Sequence, residues 1–454
     1  MLKKSQYLQK VGNAENALYF HSLLGNLYLL NAAYIEQLES FTQPRHLLAQ
    51  EVNNEIINEL VEANYLVDVD CNERELVAVR NNDWMENVPN GGHLKFLGLI
   101  VSEVCNFACP HCLHALSLET GKTHGTKRLM DWETAKQAID KYFALVQARG
   151  ETDHNIHFGS AEPLLNWQVI KKSVEYIRNF APDCRLVVNT NLSLLTQEQA
   201  IFFRDNKVYL TVSLDGPECG NDKIRIQRDG SGTYNLITQK HKLLIDNGYP
   251  LLGYSLTIND LNIDSIDDAY LDWYATQGFD GLITSVDIIN NENCNRRIEE
   301  YIEKILYIRQ RCVQNGIENY GMWSTAYENL VNDTKDGMPS FCKAIKGKNI
   351  SVNPEGKLFI CGHTTTLLGT LDNFDEALTT KSPYANLIKN RLPGNDPFCF
   401  GCSIEGLCGG HCHISREFSN ATGNRKEHYL CEFNRIITFE LLKDKLKREL
   451  VDEP

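Results

Sequence analysis

The sequence predicts an α/β protein: a partial (β/α)6 TIM-like barrel over residues 93–315, preceded by a winged-helix-like unit over 1–85 and followed by a cysteine-rich domain over 320–454. Three observations predict this. Six strand-like apolar runs alternate with six helical stretches between residues 94 and 316, the pattern of a parallel sheet with helices outside it. Three short strand-like runs and a helical period come before them. Ten of the 15 cysteines fall into two spaced groups, one within the alternating region and one beyond it. A chain of 454 residues also exceeds what one core ordinarily serves.

In the first unit, residues 7–11, 17–22 and 26–30 read as strands, with Gly12-Asn13 and Gly25-Asn26 as turns. Helices follow at 32–41 and 53–64, the second with Ile56, Ile57, Leu60 and Val61 on one face. A closing strand pair is expected over 65–79, and 81–92, with Pro89, Gly91 and Gly92, reads as a linker. The barrel strands are expected at 94–102, 155–158, 185–189, 208–214, 251–258 and 281–289. The helices are expected at 132–148, 167–180, 197–206, 234–247, 263–277 and 297–315. Such units carry their active-site residues at the C-terminal ends of the strands. The end of the chain, 431–450, reads as a charged helix.

Composition narrows the function. Hydrophobic residues are 43% and charged residues 23%. No apolar run nears the roughly 20 residues of a membrane span, and the first residues lack the apolar core of a signal peptide. A cytoplasmic protein with no membrane partner is expected. The net charge of −14, with no basic stripe, argues against a nucleic-acid partner. In a reducing compartment clustered cysteines point to metal rather than disulfides. Cys71, Cys184, Cys219, Cys294 and Cys312 stand outside the clusters and read as small packed residues.

The first cluster is Cys105-Asn106-Phe107-Ala108-Cys109-Pro110-His111-Cys112, directly after the first barrel strand. Three thiolates on one short loop can hold three irons of a [4Fe–4S] cube and leave the fourth open. An open metal position is where a substrate binds. This segment resembles the signature of the radical S-adenosylmethionine (SAM) superfamily. The resemblance implies that the open iron chelates SAM, and that reductive cleavage of SAM gives a 5′-deoxyadenosyl radical that abstracts hydrogen from a substrate. His111 stands where that family usually has an aromatic residue near the adenine.

Other segments extend the resemblance. Gly159-Ser160-Ala161-Glu162-Pro163 resembles the Gly-Gly-Glu-Pro edge that binds the SAM amino group, with Ser160 and Ala161 in place of the two glycines. Asn189-Thr190-Asn191 resembles the ribose-side segment, and Ser213-Leu214-Asp215-Gly216-Pro217 matches the family's fourth strand end. Glu162, Ser213, Asn191 and either Arg225 or Arg228 are thereby implied to position SAM.

The second cluster reads Cys342, Gly356, Cys361, then Cys399, Cys402, Cys408 and Cys412, then Cys431. Residues 352–360 read as a hairpin turning at Pro354–Gly356, able to deliver Cys361 back towards Cys342. On spacing alone a zinc site competes. The pattern resembles the seven-cysteine SPASM extension of radical SAM enzymes, which holds two auxiliary [4Fe–4S] clusters. That implies three clusters in all. Auxiliary cluster I would use Cys342, Cys361 and Cys412, and auxiliary cluster II would use Cys399, Cys402, Cys408 and Cys431. Cluster I then either keeps an open iron, able to bind a substrate thiolate, or recruits a distant cysteine such as Cys312.

The resemblance fixes chemistry more tightly than substrate. The N-terminal unit looks like the peptide-recognition element of ribosomal-peptide maturases, which binds a leader as an added strand. Expected partners are therefore a precursor peptide with a leader and an electron donor such as flavodoxin or ferredoxin. The expected reaction is a crosslink in the peptide: a thioether first, otherwise a carbon–carbon or carbon–oxygen bond. One alternative is an anaerobic sulfatase maturase, in which an Asp follows the residue matching Cys361; here Gly362 follows. A second is a non-catalytic zinc-binding adaptor.

Overall fold

The computed structural model describes residues 1–114, 128–287, 298–332, 337–422 and 426–452. Cys294 and the end of the 281–289 stretch lie outside the described residues.

The chain opens with β1 (Leu2–Lys4), then β2 (Leu8–Gly12), β3 (Asn16–His21) and β4 (Gly25–Asn31). β2, β3 and β4 form an antiparallel sheet with β4 at its edge. Asn31 ends β4 and its side chain caps the helix Ala32–Glu39. A second helix, Glu55–Glu62, is capped by Asn54 and buries Ile57 and Leu60. β5 (Leu66–Asp68) pairs antiparallel with β1 rather than with a later strand. The closing strand pair and the linker are therefore corrected: Ala78–Asn87 is a helix that buries Asn81, whose side chain donates to the Pro393 carbonyl at 2.8 Å. Gly91 and Gly92 mark only the turn that leaves this helix.

The barrel strands are β6 (Phe96–Ser102), β7 (Asn155–Ser160), β8 (Arg185–Thr190), β9 (Val208–Ser213), β10 (Tyr254–Ile258) and β11 (Gly281–Val286). They are parallel and adjacent in chain order. A short seventh parallel strand, β12 (Glu318–Tyr320), lies beside β11. Helices on the outside bury their apolar stripes against the sheet, as in Trp132–Gln147 with Ala135, Ile139, Phe143 and Val146. The helix expected over 263–277 begins late, at Asp268, because Asp267 caps it by accepting from Tyr270 N.

The cysteine-rich part joins the same sheet. β13 (Asn349–Val352) pairs parallel with β6 and antiparallel with β14 (Lys357–Phe359), and β15 (Leu367–Thr370) completes the edge. Among the described residues this makes one ten-stranded sheet. Gly98 permits the β13–β6 contact: a Cβ there would stand 2.5 Å from Ser351 Oγ. The N-terminal sheet packs on the other end of the chain. Phe20 meets Phe439 of the helix Lys426–Asp452 with ring centroids 5.9 Å apart, and Arg74 Nη1 lies 2.7 Å from Glu405 Oε1.

Candidate functional site

A cavity of about 360 Å³ opens at the C-terminal ends of the barrel strands. Every one of the six strands β6 to β11 supplies wall residues at or just beyond its end, including Cys105, Ser160, Asn191, Ser213, Thr257 and Ser285. Cys105, Cys109 and Cys112 all line it. Their loop is tied to residues 224–228: Ala108 N donates to the Ile226 carbonyl at 2.8 Å, and Arg228 donates to the Cys105 carbonyl through Nε (3.2 Å) and Nη2 (2.7 Å). Arg228 is thus engaged with the loop backbone, while Arg225 lines the cavity.

Arg225 owes its place to Asp215. The Asp215 carboxylate is fully buried, and its Oδ2 lies 2.5 Å from Arg225 Nε and 3.5 Å from His111 Nε2. Its Oδ1 accepts from Thr257 N at 2.7 Å. Burial works against the charge of Arg225, but Asp215 and then Cys109 hold its pKa up. Burial lowers the pKa of His111, whose Nδ1 bonds the Ile224 carbonyl at 3.1 Å. The sequence displays Asp215 inside a Ser-Leu-Asp-Gly-Pro turn, where a backbone role is explanation enough; nothing local announces its two partners.

Glu162 lies beneath the wall formed by Ser160 and Ala161. Its carboxylate is fully buried and accepts from Thr190 Oγ1 (2.7 Å), Asn191 N (2.8 Å) and Leu164 N (3.0 Å). Burial nonetheless raises its pKa to about 7. Asn191 closes a ring of side-chain hydrogen bonds. It donates to Asn106 Oδ1 (3.0 Å), Asn106 donates to Ser193 Oγ (2.8 Å), and Ser193 Oγ donates back to Asn191 Oδ1 (2.6 Å). This ring fixes the loop that carries Cys105; Asn106 and Ser193 carried no signal in the sequence. Ser160 holds a φ of +102°, a region that favours glycine, at the position where the family resemblance places one.

A second cavity, of about 590 Å³, shares Ser160, Asn189 and His363 with the first. Cys342 and Cys361 line it. Cys342, Cys361 and Cys412 lie within electrostatic reach of one another, and burial pushes the Cys361 thiol up to about 12 and the Cys412 thiol to about 11. Cys399, Cys402, Cys408 and Cys431 line a third pocket of about 90 Å³. Cys312 belongs to neither set. It faces the barrel core from the helix Ile298–Gln314, and burial alone raises its pKa to about 11. Of the two alternatives for auxiliary cluster I, an open iron or recruitment of Cys312, this placement on the helix face that packs the barrel favours the first.

The donor chemistry fits iron–sulfur clusters. Thiols this buried are costly to ionise unless a metal takes the charge, and thiolate is the ligand such clusters use. Among the described residues no three His, Cys, Asp or Glu groups close on a single ion-sized point; all the grouped cysteines but Cys412 line cavities instead.

Residues 99–270 match the sequence profile of the radical SAM superfamily. The chain carries a radical SAM domain. It is an enzyme whose relatives include radical SAM catalysts, and its cysteine-rich C-terminal region fits the type that carries such a region. A radical SAM domain uses SAM and a [4Fe–4S] cluster. The radical SAM cyclopropyl synthase TigE of Paramaledivibacter caminithermalis is 22% identical over 92% of this chain and 91% of the relative. A serine-type anaerobic sulfatase-maturating enzyme of Klebsiella aerogenes is 22% identical over 72% of this chain and 80% of its own length. Among solved structures, native anSMEcpe with bound AdoMet superposes with a TM-score of 0.60 at 15% identity, covering 78% of this chain and 99% of that one. Streptococcus suis SuiB bound to its precursor peptide SuiA gives 0.51 at 14% identity, over 91% and 96%. These structures share the radical SAM partial-barrel fold. No helix among the described residues is long and apolar enough to cross a membrane.

Proposed function

We propose that this radical SAM enzyme matures a ribosomally made peptide, abstracting a hydrogen atom from a core residue and closing a new bond there. The observation that carries the reading is the shared wall of the two cavities. A residue resting on Ser160, Asn189 and His363 faces the SAM cavity on one side and Cys342 and Cys361 on the other. Cys105, Cys109 and Cys112 would hold the SAM cluster, with Arg225, Ser213, Asn191 and His111 shaping the SAM side and Glu162 fixing Thr190 and Asn191 behind it. Cys342, Cys361 and Cys412 would hold auxiliary cluster I, and Cys399, Cys402, Cys408 and Cys431 cluster II. When bound, the cluster of Cys105, Cys109 and Cys112 would supply the electron for SAM cleavage and auxiliary cluster I an iron open to a thiolate; flavodoxin or ferredoxin in the cytoplasm is the proposed donor.

The N-terminal unit supports a leader-bearing peptide. β4 is a sheet edge, and a groove of about 770 Å³ runs between it and the helix Glu55–Glu62, lined by Tyr28, Leu29, Leu30, Tyr34, Glu59 and Glu62. An extended leader can add to such an edge. With 92% and 91% of the chain covered, the similarity to TigE and SuiB reaches into this unit. The bond formed is proposed as a thioether, with carbon–carbon and carbon–oxygen closure as the other outcomes of the same radical.

The test is anaerobic reconstitution followed by reaction with SAM, a reductant and two probes: the short peptide encoded beside the gene and a cysteine-containing sulfatase peptide. The expected result is about 12 irons and 12 sulfides per chain, 5′-deoxyadenosine, and loss of two hydrogens from the first peptide. Conversion of the sulfatase peptide instead overturns the reading.

A further inference from the structure

Arg391 is 6% exposed and spends its donors on neutral groups. Nε donates to the Gly409 carbonyl at 3.0 Å, Nη2 donates to the Gly410 carbonyl at 2.8 Å and also to that of His411, and Nη1 donates to His413 Nδ1 at 3.4 Å. Gly409, Gly410 and His411 have φ of +61°, +75° and +51°. Three consecutive left-handed residues thus turn their carbonyls onto one guanidinium, and they are the spacer between Cys408 and Cys412. The carboxylate within electrostatic reach, Asp396, is paired with Arg416.

A buried cation without an anionic partner is unfavourable unless a counter-charge lies close by. Besides Asp396, the groups within reach are thiols that a bound cluster would ionise: Cys342 and Cys412 of one set, and Cys408 of the other. A [4Fe–4S] cube held by cysteine thiolates is itself an anion, and net charge beside it sets its reduction potential.

We propose that Arg391 is a counter-ion shared by the two auxiliary clusters, holding both at a higher potential than their thiolates alone would give. The inference rests on the three-cluster reading above. Each added electron makes a cluster more negative, so a fixed neighbouring cation favours the reduced form. The same guanidinium shapes the Cys408–Cys412 spacer, which makes it a positioning residue for both cysteine sets.

The test uses full-length protein, reconstituted without oxygen, as wild type, Arg391→Gln and Arg391→Lys. Iron and sulfide are counted, and the clusters are titrated against potential by electron paramagnetic resonance. The SAM cluster serves as the internal reference. Arg391→Gln should keep its iron, while its auxiliary reduced-to-oxidised ratio at fixed potential falls about tenfold, a shift of about 59 mV for one electron. Arg391→Lys, which restores the charge but not the fork, should return most of the shift. Unmoved potentials at full iron overturn the counter-ion role alone. Loss of auxiliary iron from both variants alike makes Arg391 a backbone clamp only and overturns it too. About 4 irons in the wild type removes the three-cluster reading, and this inference with it.

Discussion

Asp215 meets Arg225 at 2.5 Å, carboxylate Oδ2 to guanidinium Nε, with the acid fully buried. Removing one partner of such a pair leaves the other charge uncompensated, at a cost of about 3–5 kcal/mol. Asp215→Asn should lower the thermal midpoint of the SAM-free protein by several degrees. It should also weaken SAM binding by at least about tenfold, or roughly 1.4 kcal/mol. Differential scanning calorimetry and equilibrium binding check the two effects; unchanged SAM affinity would separate Arg225 from the ligand.

Glu162 gives the fold a pH signature. Its pKa is raised from 4.5 to about 7 by burial. The folded state therefore holds a proton that the unfolded state releases between those values, so its stabilising effect is fully present below pH 4.5 and lost as pH rises through 7. Between these limits wild type should lose on the order of 3 kcal/mol relative to Glu162→Gln. Unfolding titrations of both proteins without SAM, across that window, read the difference directly. A flat difference would mean that the three hydrogen bonds to the carboxylate outweigh its burial.

Replacing Cys105, Cys109 and Cys112 together with alanine should abolish 5′-deoxyadenosine formation. About 8 irons per chain should remain, from cube stoichiometry. Persistent SAM cleavage would place the catalytic cluster elsewhere.

Groove variants test leader docking better than deletion of residues 1–85. The unit shares a core with the C-terminal helix through Val11, Leu18, Phe20, Leu442 and Leu446, and cutting it away would strip that core. Tyr28→Ala with Glu62→Lys should weaken precursor affinity about tenfold and leave peptide-independent SAM cleavage intact. Fluorescence anisotropy with labelled peptide is the measurement.

Gly98→Ala would place a Cβ 2.5 Å from Ser351 Oγ and 3.2 Å from its Cβ. The cost should be about 1–3 kcal/mol. Hydrogen exchange should then rise in β13 and β6 while the N-terminal sheet keeps its protection.

Regular patterns were legible and long-range ones were not. Each barrel strand from β6 to β11 reads from its apolar positions, because a strand that buries roughly every second residue against its helices must keep most of those residues apolar. The helix Ala78–Asn87 does not, because it is polar on most faces and ends in Pro89, Gly91 and Gly92, which look like a linker. β1 and β12 are three residues each, too short for any period. The site follows the same rule. Cysteines announce themselves by spacing, whereas Asp215, Asn106, Ser193 and Arg391 act through partners that only the folded chain brings near.

The pairing of β13 with β6 has a further consequence. β6 leads into the loop of Cys105, and β13 leads through its hairpin to Cys361. One continuous sheet therefore carries the approach to both. Groups held by these two cysteines would thus be carried on one sheet. Since electron tunnelling falls steeply with distance, a shared sheet would favour a steady rate of transfer between such groups.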